Sequence, residues 1–235
     1  MALARAEDPK LPDWLRGLDY RDPEESEPDP VEQSAMHDIL DHIRQHYDVR
    51  CWAYAAWAFA TGMRPEEIVI QTWKDLRLDP KLGHHKTRVW RAKSFRGQIK
   101  GTKTGGTRFV DLSQLALDAL DAMRPFTEKA EMEIFQNPWS GKGWHDGRSF
   151  RENVWNPALK ALGIPGRRAY CTRHTFATLL LQAGARIAYV SAQMGHTTPS
   201  EVEKTYHRWL PDADGGYARR IMAEAFSKNP HQIPR

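Results

Sequence analysis

The chain has 235 residues, with 34 Lys or Arg against 30 Asp or Glu and a formal net charge of +4, a length that suits one large domain or one domain with an appendage. Its two cysteines, Cys51 and Cys171, lack C-x-x-C or Cys/His ligand spacing, so neither a disulfide framework nor a metal site is expected. No apolar run is long enough to span a bilayer and "MALARAEDPKLPDWLRG" lacks the apolar stretch of a secretory signal, which excludes a membrane partner and predicts a cytoplasmic protein.

Charge is unevenly spread along the chain. Residues 1 to 33 hold ten acids and four bases, which leaves 20 acids and 30 bases for the remainder, about −6 against about +10. "YRDPEESEPDP" is acidic and punctuated by proline, so residues 1–30 read as a tail or linker and the folded body, 31–235, begins near Val31. Met36, Ile39, Leu40, Ile43 and Tyr47 then recur at helical spacing, and "CWAYAAWAFATG" is apolar all round, as a central buried helix ending at Gly62 would be. In "RPEEIVIQTW", Pro65 suits a first turn and Glu66 and Glu67 suit the positive end of a helix dipole, which predicts a third helix.

Next come "WKDLRLD", "TRVWRAKSF" and "TRFVDL", rich in β-favouring residues, with the glycines of "TKTGG" between the last two; these predict one small antiparallel sheet. Helical periodicity returns through Leu115, Leu120 and Met123, then through Phe150, Val154, Ala158 and Leu162. It continues in "AYCTRHTFATLLLQAG" and around Val190, Val202 and Ile221. The fold class is therefore mainly α with a small antiparallel β-sheet, an α+β domain.

From Lys81 to Val110 there are nine Lys or Arg and no acid, interleaved with aromatics. Such a stretch reads as a solvated basic face or as a surface for a phosphate backbone. The basic body favours the second reading, with nucleic acid as partner and Lys86, Arg88, Arg91, Lys93, Arg96, Lys100 and Arg108 as its contacts. Arg64 and Arg173 each stand at the head of a helix. Either alone is better explained by a structural ion pair; together with the basic hairpin they suggest a clamp for the non-bridging oxygens of a phosphodiester.

"ATGMRPEEI", "GTKTGGTRFVDL", "YCTRHTFATLLLQAG", "MGHTT" and "EKTYHRWL" follow the order and near the spacing found in the catalytic domain of tyrosine recombinases, the phage integrase family, and the chain resembles that family over about residues 30 to 225. The resemblance implies the family's fold and site-specific DNA recombination, by which a mobile element is integrated or excised. It makes Arg64 and Arg173 the catalytic arginines, Glu67 the acidic neighbour that supports Arg64, Lys103 the hairpin lysine, His196 the late histidine and Tyr206 the nucleophile.

A tyrosine hydroxyl with a pKa near ~10 is a weak nucleophile, so attack on phosphorus needs the phosphate charge neutralised and the leaving 5′ oxygen protonated. The resemblance assigns the first task to Arg64 and Arg173, the second to Lys103, and a phosphate hydrogen bond to His196. Strand breakage leaves a 3′-phosphotyrosyl link that another 5′ hydroxyl reverses, with no cofactor. It also implies a homo-tetramer assembled on DNA attachment sites and a nucleoid-associated location. A non-catalytic DNA-binding regulator and a DNA-relaxing enzyme of the type IB topoisomerase kind are the alternatives on the same scaffold.

The chain departs from the family's pattern at Tyr170, which stands three residues before Arg173 where a histidine is usual, and which is expected to donate a hydrogen bond to the phosphate. His174 is expected to brace packing, about 100° round the helix from Arg173. Residues 1 to 30 are too few for the helical core-binding domain that precedes many integrase catalytic domains, so that domain is expected to be absent. "GGYARRIMAEAFSK" resembles the C-terminal element exchanged between protomers.

Overall fold

The computed structural model describes residues 28–209, apart from positions 80, 82, 95–96, 103–105 and 129–132. The acidic tail over 1–27, Arg96, Lys103, Ile221 and the "GGYARRIMAEAFSK" segment lie outside the described residues.

The amphipathic pattern around Ile39 and Ile43 forms α1 (Gln33–His46), and the all-apolar segment forms α2 (Val49–Thr61), buried from Cys51 to Thr61. Asp48 caps α2 by accepting the Arg50 N–H at 2.9 Å. Gly62 ends it at φ 58°, and a Cβ there would lie 2.4 Å from the Phe176 ring, so both the left-handed backbone and the close approach require glycine. Alanines at 53, 55, 56, 58 and 60 let three helices close on α2: α1, α4 (Gln114–Thr127) and α7 (Cys171–Gln182).

The third helix, α3 (Pro65–Ile68), is a single turn, shorter than its sequence suggests. Val69 and Ile70 are buried beyond it, and Gln71 leaves the helix to accept the Thr87 hydroxyl at 2.8 Å and to donate to the Arg88 carbonyl at 3.3 Å. A 3₁₀ turn at Trp73–Asp75 leads into β1 (Leu76–Arg77).

Two separate antiparallel sheets, one of three strands and one of two, stand among the described residues in place of the single sheet expected. Strand β2 (Lys86–Val89) pairs β1 on one side and β5 (Arg108–Asp111) on the other, in the register Leu76 to Thr87 and Thr87 to Val110. "TRVWRAKSF" breaks at Trp90, whose indole N–H donates to Asp75 at 2.9 Å, and continues as β3 (Arg91–Lys93) paired with β4 (Ile99–Gly101).

Beyond α4 come α5 (Gly147–Phe150), a π turn at Arg151–Trp155, α6 (Asn156–Ala161), α7, α8 (Ile187–Met194) and α9 (Pro199–Tyr206), followed by a 3₁₀ turn at His207–Trp209. The large core runs from Val31 to Cys171 around α2. Phe176, Ala177, Leu181, Val190, Met194, Val202 and Tyr206 form a second, smaller one beneath α7, α8 and α9. The mainly helical α+β class is as expected. No helix among the described residues is long and apolar enough to cross a membrane.

Candidate functional site

Arg173 joins the two cores. On the first turns of α7, its guanidinium is 1% exposed; Nη1 donates to the Gly62 carbonyl at 2.6 Å and Nη2 to the Met194 carbonyl at 2.7 Å. Both acceptors end helices, where carbonyls lack intrahelical partners and the dipole is negative, so the buried cation is held by helix ends, with Glu67 favouring its charge from farther off. Burial lowers its pKa to about 10, with neighbouring Arg64 acting in the same direction, and the group stays charged at neutral pH.

Arg64 occupies the N-cap of α3. Its backbone N–H donates to Glu67 Oε2 at 2.9 Å and its Nη1 to Glu67 Oε1 at 3.3 Å. The carboxylate of Glu67 is shared. Arg108, arriving from β5, forks onto it with Nη1 to Oε1 at 2.9 Å and Nη2 to Oε2 at 2.6 Å, while its Nε donates to the Gln193 carbonyl at 2.9 Å. Burial by itself would raise the Glu67 pKa; the Arg108 fork and the Arg64 contacts outweigh it and hold the carboxyl below its ordinary value.

This corrects the expectation that Arg108 faces the duplex. All three of its nitrogens are engaged inside the protein, and it ties α3 to the end of α8. Gly195, at φ 69° after α8, lets that guanidinium pass, since a Cβ there would meet Arg108 at 2.9 Å.

His196 follows at once, 13% exposed at its side chain, with Nδ1 unpaired and Glu201 Oε2 at 3.5 Å. Burial, reinforced by Arg173, lowers its pKa to about 4, so the ring is neutral at pH 7 despite Glu201.

Tyr206 closes α9 with only 1% exposure, in the small core and with its ring 6.0 Å from that of Trp209. Its hydroxyl lies 2.8 Å from His174 Nδ1. Burial raises the Tyr206 pKa above the ordinary value although Arg173 opposes it, and burial lowers that of His174 to about 4, with Arg173 adding to the effect. His174 is therefore the residue that sequence reasoning missed: instead of bracing packing alone, it meets the phenol. Tyr170 stands just before α7, its ring edge-on to His174 at 5.2 Å and its face 37% exposed.

Arg173, His174, His196, Tyr170 and Tyr206 converge on one cavity of about 1010 Å³, whose rim carries Arg167, Arg168, Lys204 and Arg208. The beginning of the body is tied to the same rim, since Arg167 donates to the Pro30 carbonyl at 2.8 Å and pairs with Asp29 at 2.9 Å. A cavity lined by buried and surface cations fits a polyanion rather than a neutral ligand. Among the described residues no group of three or more His, Cys, Asp or Glu could hold a metal ion.

The strand bases divide into two sets. Lys86 pairs with Asp111 at 3.3 Å; Arg91 donates to Asp75 at 3.2 Å and to the Ile70 carbonyl at 3.2 Å; Arg88 stands 3.9 Å from Asp75 and, like Arg91, lies over the Trp90 ring. Lys93 and Lys100, on the β3–β4 hairpin, have no acidic partner among the described residues. Arg96 and Lys103 are outside them.

The model of the phage integrase family matches residues 30–211. The chain is 27% identical over 208 residues to IntQ of Escherichia coli (strain K12), a protein described as defective, covering 79% of this chain and 51% of that protein. It is 28% identical over 214 residues to the prophage integrase IntR of the same organism, covering 79% and 48%. The chain thus spans about half the length of these relatives. Its fold is similar to that of the Tn1549 transposon integrase in complex with transposon right end DNA, with a TM-score of 0.66 at 17% identity, over 96% of this chain and 75% of the other.

Proposed function

Since the chain belongs to the phage integrase family, we propose that it cuts and rejoins DNA at specific sites, Tyr206 attacking phosphorus to form a 3′-phosphotyrosyl link. The observation that carries this reading is the convergence of Arg173, His196 and Tyr206 on one cationic cavity, with Arg64 held beside Arg173 by Glu67. Two of the five N–H groups of Arg173 are used by helix-end carbonyls, so the guanidinium is oriented before any phosphate arrives. A neutral His196 retains one N–H with which to donate to a phosphate oxygen.

Double-stranded DNA is the substrate and the partner. Lys93 and Lys100 are its phosphate contacts on the hairpin, and Lys103, by the resemblance, protonates the leaving 5′ oxygen. The Tyr170 hydroxyl serves as a further donor at the mouth of the cavity. Recombination needs two duplexes, and four copies of the chain assembled on DNA supply the four nucleophiles.

The test is incubation with a nicked suicide duplex carrying the junctions of the element that encodes the chain, scored for an adduct that survives denaturant. The parent is expected to form it, and Tyr206→Phe to bind the duplex nearly as well and form none. An adduct of undiminished yield in Tyr206→Phe rejects the assignment.

A further inference from the structure

Tyr170 stands where a residue that could take a proton is usual, and a phenol hydroxyl is a donor rather than a base for its neighbour. The nearest group to the Tyr206 hydroxyl that can accept its proton is His174, whose Nδ1 lies 2.8 Å away. From this contact we infer that His174 is the base that accepts the Tyr206 proton during strand cleavage and returns it during rejoining. The inference rests on the reading of Tyr206 as the nucleophile.

The fold builds the contact deliberately. Cys171, Thr172 and Arg173 are buried in the first turn of α7, and His174, half-buried, is turned by one helical step toward α9. There Val202 and Tyr206 are packed in the small core, so the phenol is brought back against the imidazole by packing rather than by chain proximity. With its ring proton on Nε2, His174 accepts at Nδ1 from the Tyr206 hydroxyl. Burial keeps the imidazole neutral, with a pKa lowered to about 4, so it is available as an acceptor across the neutral range.

Such a weak base does not deprotonate a resting phenol, and the transfer is tied to bond formation. As Tyr206 Oη bonds to phosphorus its proton becomes acidic and passes to Nδ1; the bond from phosphorus to the 5′ oxygen breaks, and that oxygen takes a proton from a general acid. The phosphodiester charge brought into the cavity also favours the imidazolium that results. In the reverse step a 5′ hydroxyl returns its proton to that same general acid as it attacks phosphorus, the bond from phosphorus to Tyr206 breaks, and His174 returns its proton to the phenolate.

The test separates accepting a proton from merely orienting the phenol. Asn places an acceptor oxygen near the position of Nδ1 but is not basic, so His174→Asn keeps the hydrogen bond and loses the base. With the full chain on suicide duplex, His174→Asn and His174→Ala are both expected to cleave on the order of 10²-fold or more slower in single turnover, with melting temperature and duplex binding near the parent's. His174→Gln is the substitute should either fail to fold. A duplex whose 5′ bridging oxygen is sulfur, a leaving group that needs no acid, should leave the deficit in place.

The parent's rate should also fall on acidification more steeply than that of His174→Asn, in which His196 is the imidazole of the cavity that remains. The titratable and charged groups around the ring are Arg173 and Tyr170 on its own segment, Asp29 from the stretch before α1, Arg167 and Arg168 before α7, His196 after α8, Tyr206 and Lys204 on α9, and His207 and Arg208 beyond it, and both proteins share them. Cleavage by His174→Asn at the parent rate overturns the inference, since orientation would then suffice. So does rescue by the sulfur duplex, which would put His174 on the leaving group, and so does faster cleavage, which would make the contact a restraint. Tyr206→Phe runs beside them: an adduct persisting there rejects the nucleophile itself, whereas its loss there together with an undiminished His174→Asn rejects only the role of His174.

Discussion

Arg108 is a test of whether a base in a run of bases belongs to DNA or to the protein. Its fork meets a Glu67 side chain that is 2% exposed, through hydrogen bonds of 2.9 and 2.6 Å, and its own side chain is 11% exposed. Truncating one partner of a buried, bidentate pair leaves the other desolvated and costs about 3–5 kcal/mol. For a domain of this size a kilocalorie corresponds to about 2–4 °C, so Arg108→Ala is expected to lower the melting temperature by roughly 6–20 °C. Arg108→Lys keeps the charge without the fork and should fall between.

A Glu67→Met, Arg108→Met double variant should recover much of the stability, because no buried charge is stranded, yet cleave poorly, because Arg64 loses the carboxylate that aims it. Binding is measured on the same proteins across a salt series. A residue on a phosphate lowers the slope of log affinity against log salt by about one when removed, and Arg108→Ala at a temperature where it is folded should keep the parent's slope. A parental melting temperature together with a reduced slope would refute the reasoning and return Arg108 to the DNA surface.

Lys93→Ala and Lys100→Ala should behave in the opposite way, losing about one unit of salt slope each with melting temperatures unchanged; an unaltered slope in both would take the β3–β4 hairpin off the duplex. Gly62→Ala meets both a left-handed backbone and the Phe176 ring, so it should cost roughly 2–5 kcal/mol in urea unfolding and also displace the carbonyl that Arg173 grips. A near-neutral Gly62→Ala would show that Phe176 moves aside freely. The pKa values of His174 and His196, lowered to about 4 in the folded chain, imply that stability is unaffected by them above pH 6.5 and is lost as pH falls from about 6.5 towards 4, because the unfolded chain takes up protons that the folded one refuses. Urea midpoints at pH 7.5, 6 and 5 should fall accordingly, and less steeply in His196→Asn; identical pH profiles in the two proteins would contradict the burial assigned to that ring.

The helical body was legible because its signals are local. The period through Met36, Ile39, Leu40 and Ile43 and the unbroken apolar run to Gly62 each state their own burial, and α1 and α2 lie where those signals put them. The strand region was legible in composition but not in connection. A count of charge along Lys81 to Val110 finds no acid, yet antiparallel pairing sets Lys86 beside Asp111, and folding brings Asp75 to Arg91 and Glu67 to Arg108. Pairing partners more than ten residues away are invisible to a local count. The break at Trp90 has the same origin, since its indole answers Asp75 rather than a neighbour in sequence. His174 was missed for a related reason: a helix position fixes its direction, but what lies in that direction was decided by the return of α9.

One economy of the fold follows from the two carbonyls that Arg173 holds. A lone arginine 1% exposed would be costly to bury, and the protein offsets that cost with hydrogen bonds to the ends of two helices, α2 at Gly62 and α8 at Met194, while among the described residues no carboxylate accepts from its guanidinium. The choice has a chemical consequence. A carboxylate would cancel the charge and compete with phosphate for the fork, whereas helix-end carbonyls carry partial charge, orient the group and leave most of its positive potential for an incoming anion. Glu67 shows the contrast: it carries a full charge, and it is answered by Arg108 as well as by Arg64, so the acid of the site is neutralised from behind. The same contacts that join the large core to the small one therefore fix where positive charge is free, and loosening either helix end should move the phosphate clamp and the packing together.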